Sequence, residues 1–124
     1  MTLHVQLITF GDCPNRDTAM ERLRVAIAAE RVSAKVTEIE VADSTLAREL
    51  RFLGSPSVRI NGVDIEPAAR SAEQFGLMCR TYRTSDGSEG APPLEMIRAA
   101  LREQSAPLSH ELRSAENFRR EGST

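Results

Sequence analysis

Gly54-Ser55-Pro56-Ser57-Val58-Arg59-Ile60-Asn61-Gly62-Val63-Asp64-Ile65-Glu66 decides how this chain folds. Asn-Gly is the preferred central pair of a two-residue type I′ hairpin turn, because both positions need positive φ. Folding about Asn61-Gly62 sets Ile60 opposite Val63, Arg59 opposite Asp64 and Val58 opposite Ile65. The apolar residues fall together on one face. The other face is predicted to carry an Arg59–Asp64 cross-strand ion pair.

Toward the N-terminus, Leu3-His4-Val5-Gln6-Leu7-Ile8-Thr9-Phe10 alternates at Leu3, Val5 and Leu7 and runs into Phe10-Gly11-Asp12. That pattern predicts a strand followed by a turn. Cys13-Pro14-Asn15-Arg16 comes next. Proline is favoured at the first helical position, where its missing N–H has no partner to lose, so Cys13 is expected at the N-cap. Ala19, Met20, Leu23, Ala26 and Ile27 recur at helical spacing through about Glu30. Ala34 to Val41 reads as a second strand, and the slip in alternation between Val36 and Ile39 suggests a bulge. Asp43-Ser44-Thr45 supplies N-cap candidates for a helix carrying Leu46, Leu50 and Leu53, with Gly54 as its C′ residue.

Toward the C-terminus the signals weaken. Gly76 to Tyr82 suggests a short strand, and residues 84–90 read as a loop by composition. Pro92-Pro93 opens a helix with Leu94, Ile97 and Leu101 on one side, ending near Gln104. Residues 105–124 carry Leu108, Leu112 and Ala115 at helical spacing in a largely polar segment, and are expected to form a weakly helical or disordered tail. Residues 1–104 then form the domain. A strand, a crossover helix and a second strand imply a parallel pair with a right-handed connection. Adding the hairpin gives an α/β fold: a mixed sheet of about four strands, a parallel pair plus an antiparallel hairpin, with helices on both faces.

Composition narrows the function. A chain of 124 residues with 40% apolar residues supports one packed domain. Its 16 basic residues against 18 acidic ones give a net charge of −2, which lacks the basic excess of a nucleic-acid binder. The longest purely apolar run, Val25-Ala26-Ile27-Ala28-Ala29, is far below the roughly 20 residues that span a bilayer. No Lys or Arg precedes Arg16, and Asp12 interrupts the first hydrophobic stretch, so no signal peptide is expected and a cytoplasmic location is. No nucleotide loop or zinc or calcium spacing occurs, so neither a cofactor nor a built-in metal is expected. His4 reads as a strand residue and His110 as a solvated tail residue. Arg80 and Arg83 suggest a solvated basic face or an anion site, and Tyr82 a core residue or a hydrogen-bond donor in a pocket.

The two cysteines, Cys13 and Cys79, are too few for a disulfide scaffold. At a helix start, unpaired N–H groups and the helix dipole stabilise an anion by about 0.3–2 kcal/mol. That position predicts a thiolate at Cys13, helped by Arg16 and opposed by Asp12 and Asp17. The plainer alternative is a small buried hydrophobe. Cys79 reads as either a second functional thiol or a packed cysteine in a strand.

The element order, the Cys13-Pro14 dipeptide and Gly54-Ser55-Pro56 opening the third strand resemble the thioredoxin-like superfamily over residues 3–66 and 92–103. The resemblance implies a cis peptide before Pro56, placed beside the reactive Cys13, and a Ser55 backbone offered to a bound thiol or peptide. Pro14 and Arg16 would flank the substrate. Two departures stand out: Arg16 occupies the fourth position of Cys-x-x-Cys, and Gly11-Asp12 replaces the usual Trp. The chain also resembles small bacterial thioredoxin-like proteins associated with the name alkylmercury lyase. These share Cys13-Pro14-Asn15, Gly54-Ser55-Pro56, Asn61-Gly62, Asp64, Glu66-Pro67 and Cys79-Arg80-x-Tyr82. That resemblance implies Cys13 and Cys79 as mercury-binding thiolates and an aspartate as proton donor. The expected Cys-x-x-Asp position holds Arg16, which leaves Asp17, one residue later, as the possible acid.

Three functions follow. The favoured one is a thiol-dependent oxidoreductase in which Cys13 performs thiol–disulfide exchange and Cys79 resolves it, with a protein or small thiol or disulfide as substrate. The second is an organomercurial-lyase-like or soft-metal-binding protein using both thiols, with mercury as the model metal. The third is a non-catalytic binding module.

Overall fold

The computed structural model describes residues 2–105. Of the tail expected over residues 105–124, all but Ser105 lies outside them, His110 included. Strand β1 (Leu3–Thr9) is the centre of a four-stranded sheet of order β2-β1-β3-β4. Helix α1 (Arg16–Glu30) crosses over to β2 (Ala34–Glu40), which pairs parallel to β1. Helix α2 (Ser44–Glu49) leads into β3 (Ser57–Ile60), which pairs antiparallel to β1 and turns into β4 (Val63–Asp64). Strands β5 (Tyr82–Thr84) and β6 (Gly87–Glu89) form a separate hairpin, and helix α3 (Leu94–Gln104) closes the domain. The mixed α/β architecture expected from the pattern is the one observed. No helix among the described residues is long and apolar enough to cross a membrane.

Alternation along β1 explains the two layers. Leu3, Val5 and Leu7 face one way and pack with Val58 and Ile60 of β3, with Leu23 and Ala26 of α1, and with Ile97 and Leu101 of α3. Ile8 faces the other way, into a smaller cluster with Val41, Ala47 and Phe52 around α2. The slip in β2 has the same cause. Val36 packs toward the first cluster and Ile39 toward the second. The β1–β2 register runs unbroken from Leu3↔Ala34 to Thr9↔Glu40, so the expected bulge is absent and the change of face accounts for the pattern.

The Asn61-Gly62 turn forms as expected, with φ of 54° and 81°. It pairs Ile60 with Val63 and Arg59 with Asp64. The side chains depart from expectation. Arg59 donates to the Arg51 carbonyl at 2.8 Å, while Asp64 is taken by Arg80. Asp43 caps α2 by accepting from the Leu46 N–H at 2.8 Å. Helix α2 ends at Glu49 with Leu50 as its C-cap, so the left-handed Arg51, not Gly54, is the C′ residue.

Helix α1 begins later than the proline suggests. Its N-cap is Asn15, whose carbonyl accepts from the Ala19 N–H, while the Cys13 carbonyl accepts from the Arg16 N–H at 3.2 Å. Cys13 and Pro14 therefore belong to a turn ahead of the helix. The segment over residues 84–90 is a tight hairpin and not a loop. Its strands are short and polar, so turn residues dominate its composition. Arg22 of α1 binds Glu89 at 3.1 Å and the Pro92 carbonyl at 3.0 Å, which fixes this hairpin over α1.

Candidate functional site

The end of β1 and the start of β3 meet at Ser55. Its Oγ accepts from the Phe10 N–H at 3.2 Å, which joins the turn carrying Cys13 to the loop before Pro56. The Ser55–Pro56 peptide bond is cis. A third segment completes the site. The Ser55 N–H donates to the Met78 carbonyl at 2.8 Å, and the Ser55 carbonyl accepts from the Arg80 N–H at 3.0 Å. These bonds make Ser55 and Cys79 partners in an isolated parallel bridge. Directly paired residues project to the same side. Accordingly, Cys13 and Cys79 line one pocket of about 140 Å³ with Phe10, Gly11, Asp12, Pro14, Asn15 and Ser55. Cys13 is half-buried, Cys79 is exposed, and both are free thiols.

Burial holds the Cys79 segment in place. Arg80 is only 7% exposed. Its guanidinium makes a fork to Asp64, 2.8 Å to each oxygen, and reaches Ser57 Oγ at 3.0 Å and Glu66 at 3.3 Å. It also lies 4.4 Å from the centroid of the Tyr82 ring. Desolvation works against this charge, but the hydrogen bonds it donates to Asp64, with the one to Glu66 adding to them, outweigh it and raise the Arg80 pKa. Tyr82 is fully buried and donates its O–H to the Pro56 carbonyl. Burial raises its phenol pKa well above the ordinary range, against the pull of Arg80. Arg80 is thus a buried anchor, which corrects the expectation of a solvated basic face.

The residues expected at the site divide into two groups. Cys13, Pro14, Ser55 and Cys79 come together. The Ser55 backbone, expected to be open to a bound thiol or peptide, is occupied by residues 78 and 80. Arg16 borders Cys13 in a second hollow of about 540 Å³, with Thr9, Glu38 and Glu40, that does not include Cys79. Its guanidinium binds Glu38 through Nε at 2.8 Å and Asp17 at 2.7 Å, so its charge is already paired. The Asp17 side chain is 91% exposed and held by Arg16, and it does not line the two-thiol pocket. The aspartate that does is Asp12. Sequence reasoning set Asp12 beside Cys13 as an opposing charge and named only Asp17 as the possible acid. No group of three or more His, Cys, Asp or Glu side chains is gathered to hold a metal among the described residues.

Sequence reasoning also missed the Arg80–Asp64 anchor. A signal was present: residues two apart in an extended chain share a side, which places Arg80 beside the ring of Tyr82. A larger hollow of about 300 Å³ lies near Arg51, Arg59, Arg70 and Phe75. Its cations are engaged, Arg59 with the Arg51 carbonyl, Arg70 with Glu103, and Arg51 over the Phe75 ring. It contains no thiol.

Residues 15–101 match the family model described as Domain of unknown function (DUF2703). No curated protein and no solved structure matches the chain.

Proposed function

The chain belongs to the DUF2703 family, and we propose that it carries out thiol–disulfide exchange, with Cys13 attacking and Cys79 resolving. The observation that carries this reading is the shared pocket: two free thiols, 66 positions apart in sequence (79 − 13), border one small cavity beside the cis Ser55–Pro56 bond. The half-buried Cys13 is the attacking sulfur, and the more exposed Cys79 is the resolving one. The Cys13 thiolate attacks a substrate disulfide, forming a mixed disulfide and releasing one substrate thiolate, which takes up a proton. The Cys79 thiolate then attacks the Cys13 sulfur. A Cys13–Cys79 disulfide forms and the second substrate thiol leaves. Two electrons pass from the protein to the substrate.

The test is a mass map of the reduced protein after one turnover with a small disulfide. Wild type yields a Cys13–Cys79 bridge. Cys79→Ser accumulates the mixed disulfide on Cys13, and Cys13→Ser reacts at least about tenfold more slowly. Equal rates in the two variants, or no bridge in wild type, refute the assignment.

Asp12 favours a second reading. An acid bordering a two-thiol pocket is the donor set of an organomercurial lyase. In that chemistry the thiolates take the mercury and the acid gives its proton to the departing carbon. It requires Hg²⁺ to bind one per chain and to lose that binding in either Cys→Ser variant.

A further inference from the structure

We infer that the substrate is a low-molecular-weight disulfide and not one carried in an extended polypeptide, an inference that rests on the exchange reading above. It starts from the two backbone groups of Ser55. A polypeptide that docks by strand addition is held by main-chain hydrogen bonds to an open edge. At residue 55 that edge is closed. The N–H is given to Met78, and the carbonyl is taken by Arg80. The segment that a docked peptide would form is already part of this chain, and it carries Cys79 at its centre.

That segment is not a loose flap. The Arg80 side chain is buried in its fork to Asp64. Peeling the segment away strands a buried carboxylate without its cation, which is strongly unfavourable. Gly54 is shaped to receive it. With φ of 120°, residue 54 brings its backbone so close that a Cβ there would stand 2.9 Å from the Arg80 Cβ. A broader hollow of about 540 Å³ borders Cys13 with Arg16 and Glu38, but it does not include Cys79. The pocket between the two thiols is about 140 Å³, well below the roughly 300–1,000 Å³ of sites that enclose a drug-sized ligand. It admits the sulfur end of a small disulfide RS–SR′. Cys13 bonds to one sulfur as the S–S bond breaks, and R′S⁻ leaves and is protonated. Cys79 then displaces RS⁻ to give the internal disulfide. Two equivalents of a small monothiol restore the dithiol by the reverse exchange.

The experiment uses the full chain, pre-reduced, and two mixed disulfides releasing the same coloured aryl thiolate. One carries a single N-acetylated cysteine amide and the other an extended peptide with a central cysteine. Rates are normalised to those of free dithiothreitol on the same compounds. Wild type is expected to react at least about tenfold faster with the capped cysteine. Arg80→Ala, which loosens the segment, is expected to narrow that ratio toward one. Hydrogen exchange gives a readout that does not depend on the variant folding: the Ser55 and Arg80 amides stay protected in wild type while the peptide disulfide reacts. Equal normalised rates in wild type, or loss of that protection, overturn the inference and leave the exchange reading standing. Release from neither compound overturns both.

Discussion

Gly54 packs against Arg80 with no space for a side chain between them: a Cβ on residue 54 would stand 2.9 Å from the Arg80 Cβ and 3.2 Å from the Met78 carbonyl oxygen. The closest atom, the Arg80 Cβ, is fixed to its own backbone, so moving the Met78 side chain, whose Cγ also stands at 3.2 Å, does not relieve the contact. Gly54 also sits at φ of 120°, a conformation that L side chains rarely adopt. Gly54→Ala therefore combines backbone strain with overpacking, and is expected to cost at least about 2 kcal/mol. The urea midpoint measures that loss. Because the Cys79 segment is what the new methyl displaces, formation of the Cys13–Cys79 disulfide should slow as well. A Gly54→Ala protein with wild-type stability and wild-type bridging would show that this close approach does not position Cys79.

The hairpin was legible because its signals agree. Asn61-Gly62 demands positive φ, and the flanking alternation assigns each residue a face. The central strand and both long helices were legible from their periodicity for the same reason. The departures arise where local preference meets a distant partner. Asp64 has Arg59 directly opposite, yet its carboxylate goes to Arg80, whose planar fork satisfies both oxygens out of water. No local pattern at Asp64 announces a partner 16 residues away. Pro14 reads as a helix opener, but the first α-type bond runs to the Asn15 carbonyl and leaves Cys13 outside the helix. The candidate site was half legible. Cys13, Pro14, Ser55 and Cys79 were named from types and positions. The use of Ser55 to bind the Cys79 segment follows from a single bridge between residues 55 and 79, which carries no periodicity to read.

The Asp64–Arg80 pair is expected to behave as a matched unit. Asp64→Ala leaves the Arg80 guanidinium buried with Glu66 and Ser57 as its remaining side-chain hydrogen-bond partners. Breaking a buried pair in this way costs about 3–5 kcal/mol. Replacing both partners with apolar groups of similar size removes the uncompensated charge, so Asp64→Leu with Arg80→Met is expected to recover most of that loss. Urea unfolding of Asp64→Leu, Arg80→Met and the double variant measures the coupling. Additive losses, with no recovery in the double variant, would show that the fork contributes nothing as a pair.

Tyr82 offers a direct optical check on the packing behind the pocket. It is the chain's single tyrosine, and there is no tryptophan, so the near-ultraviolet phenolate band reports this residue alone. Burial raises its pKa, and the carboxylates of Asp64 and Glu66 raise it further, while Arg80 lowers it. The O–H also donates to the Pro56 carbonyl, a bond that exists only in the neutral form. The raised folded-state pKa fixes the sign of the linkage. The stabilisation is complete below the ordinary phenol pKa of about 10 and is lost as pH rises above it, because the unfolded chain ionises first. The native protein should therefore show no phenolate absorbance at a pH where the urea-unfolded chain is half ionised. As pH climbs further, the band should appear together with the loss of far-ultraviolet circular dichroism. Tyr82→Phe should abolish the band. It should also lower stability by about 1–3 kcal/mol at neutral pH, since the Pro56 carbonyl is left buried without a donor. A phenol titrating in the folded protein at its ordinary value, with the dichroism intact, would place Tyr82 in water and remove the wall against which Arg80 holds the Cys79 segment.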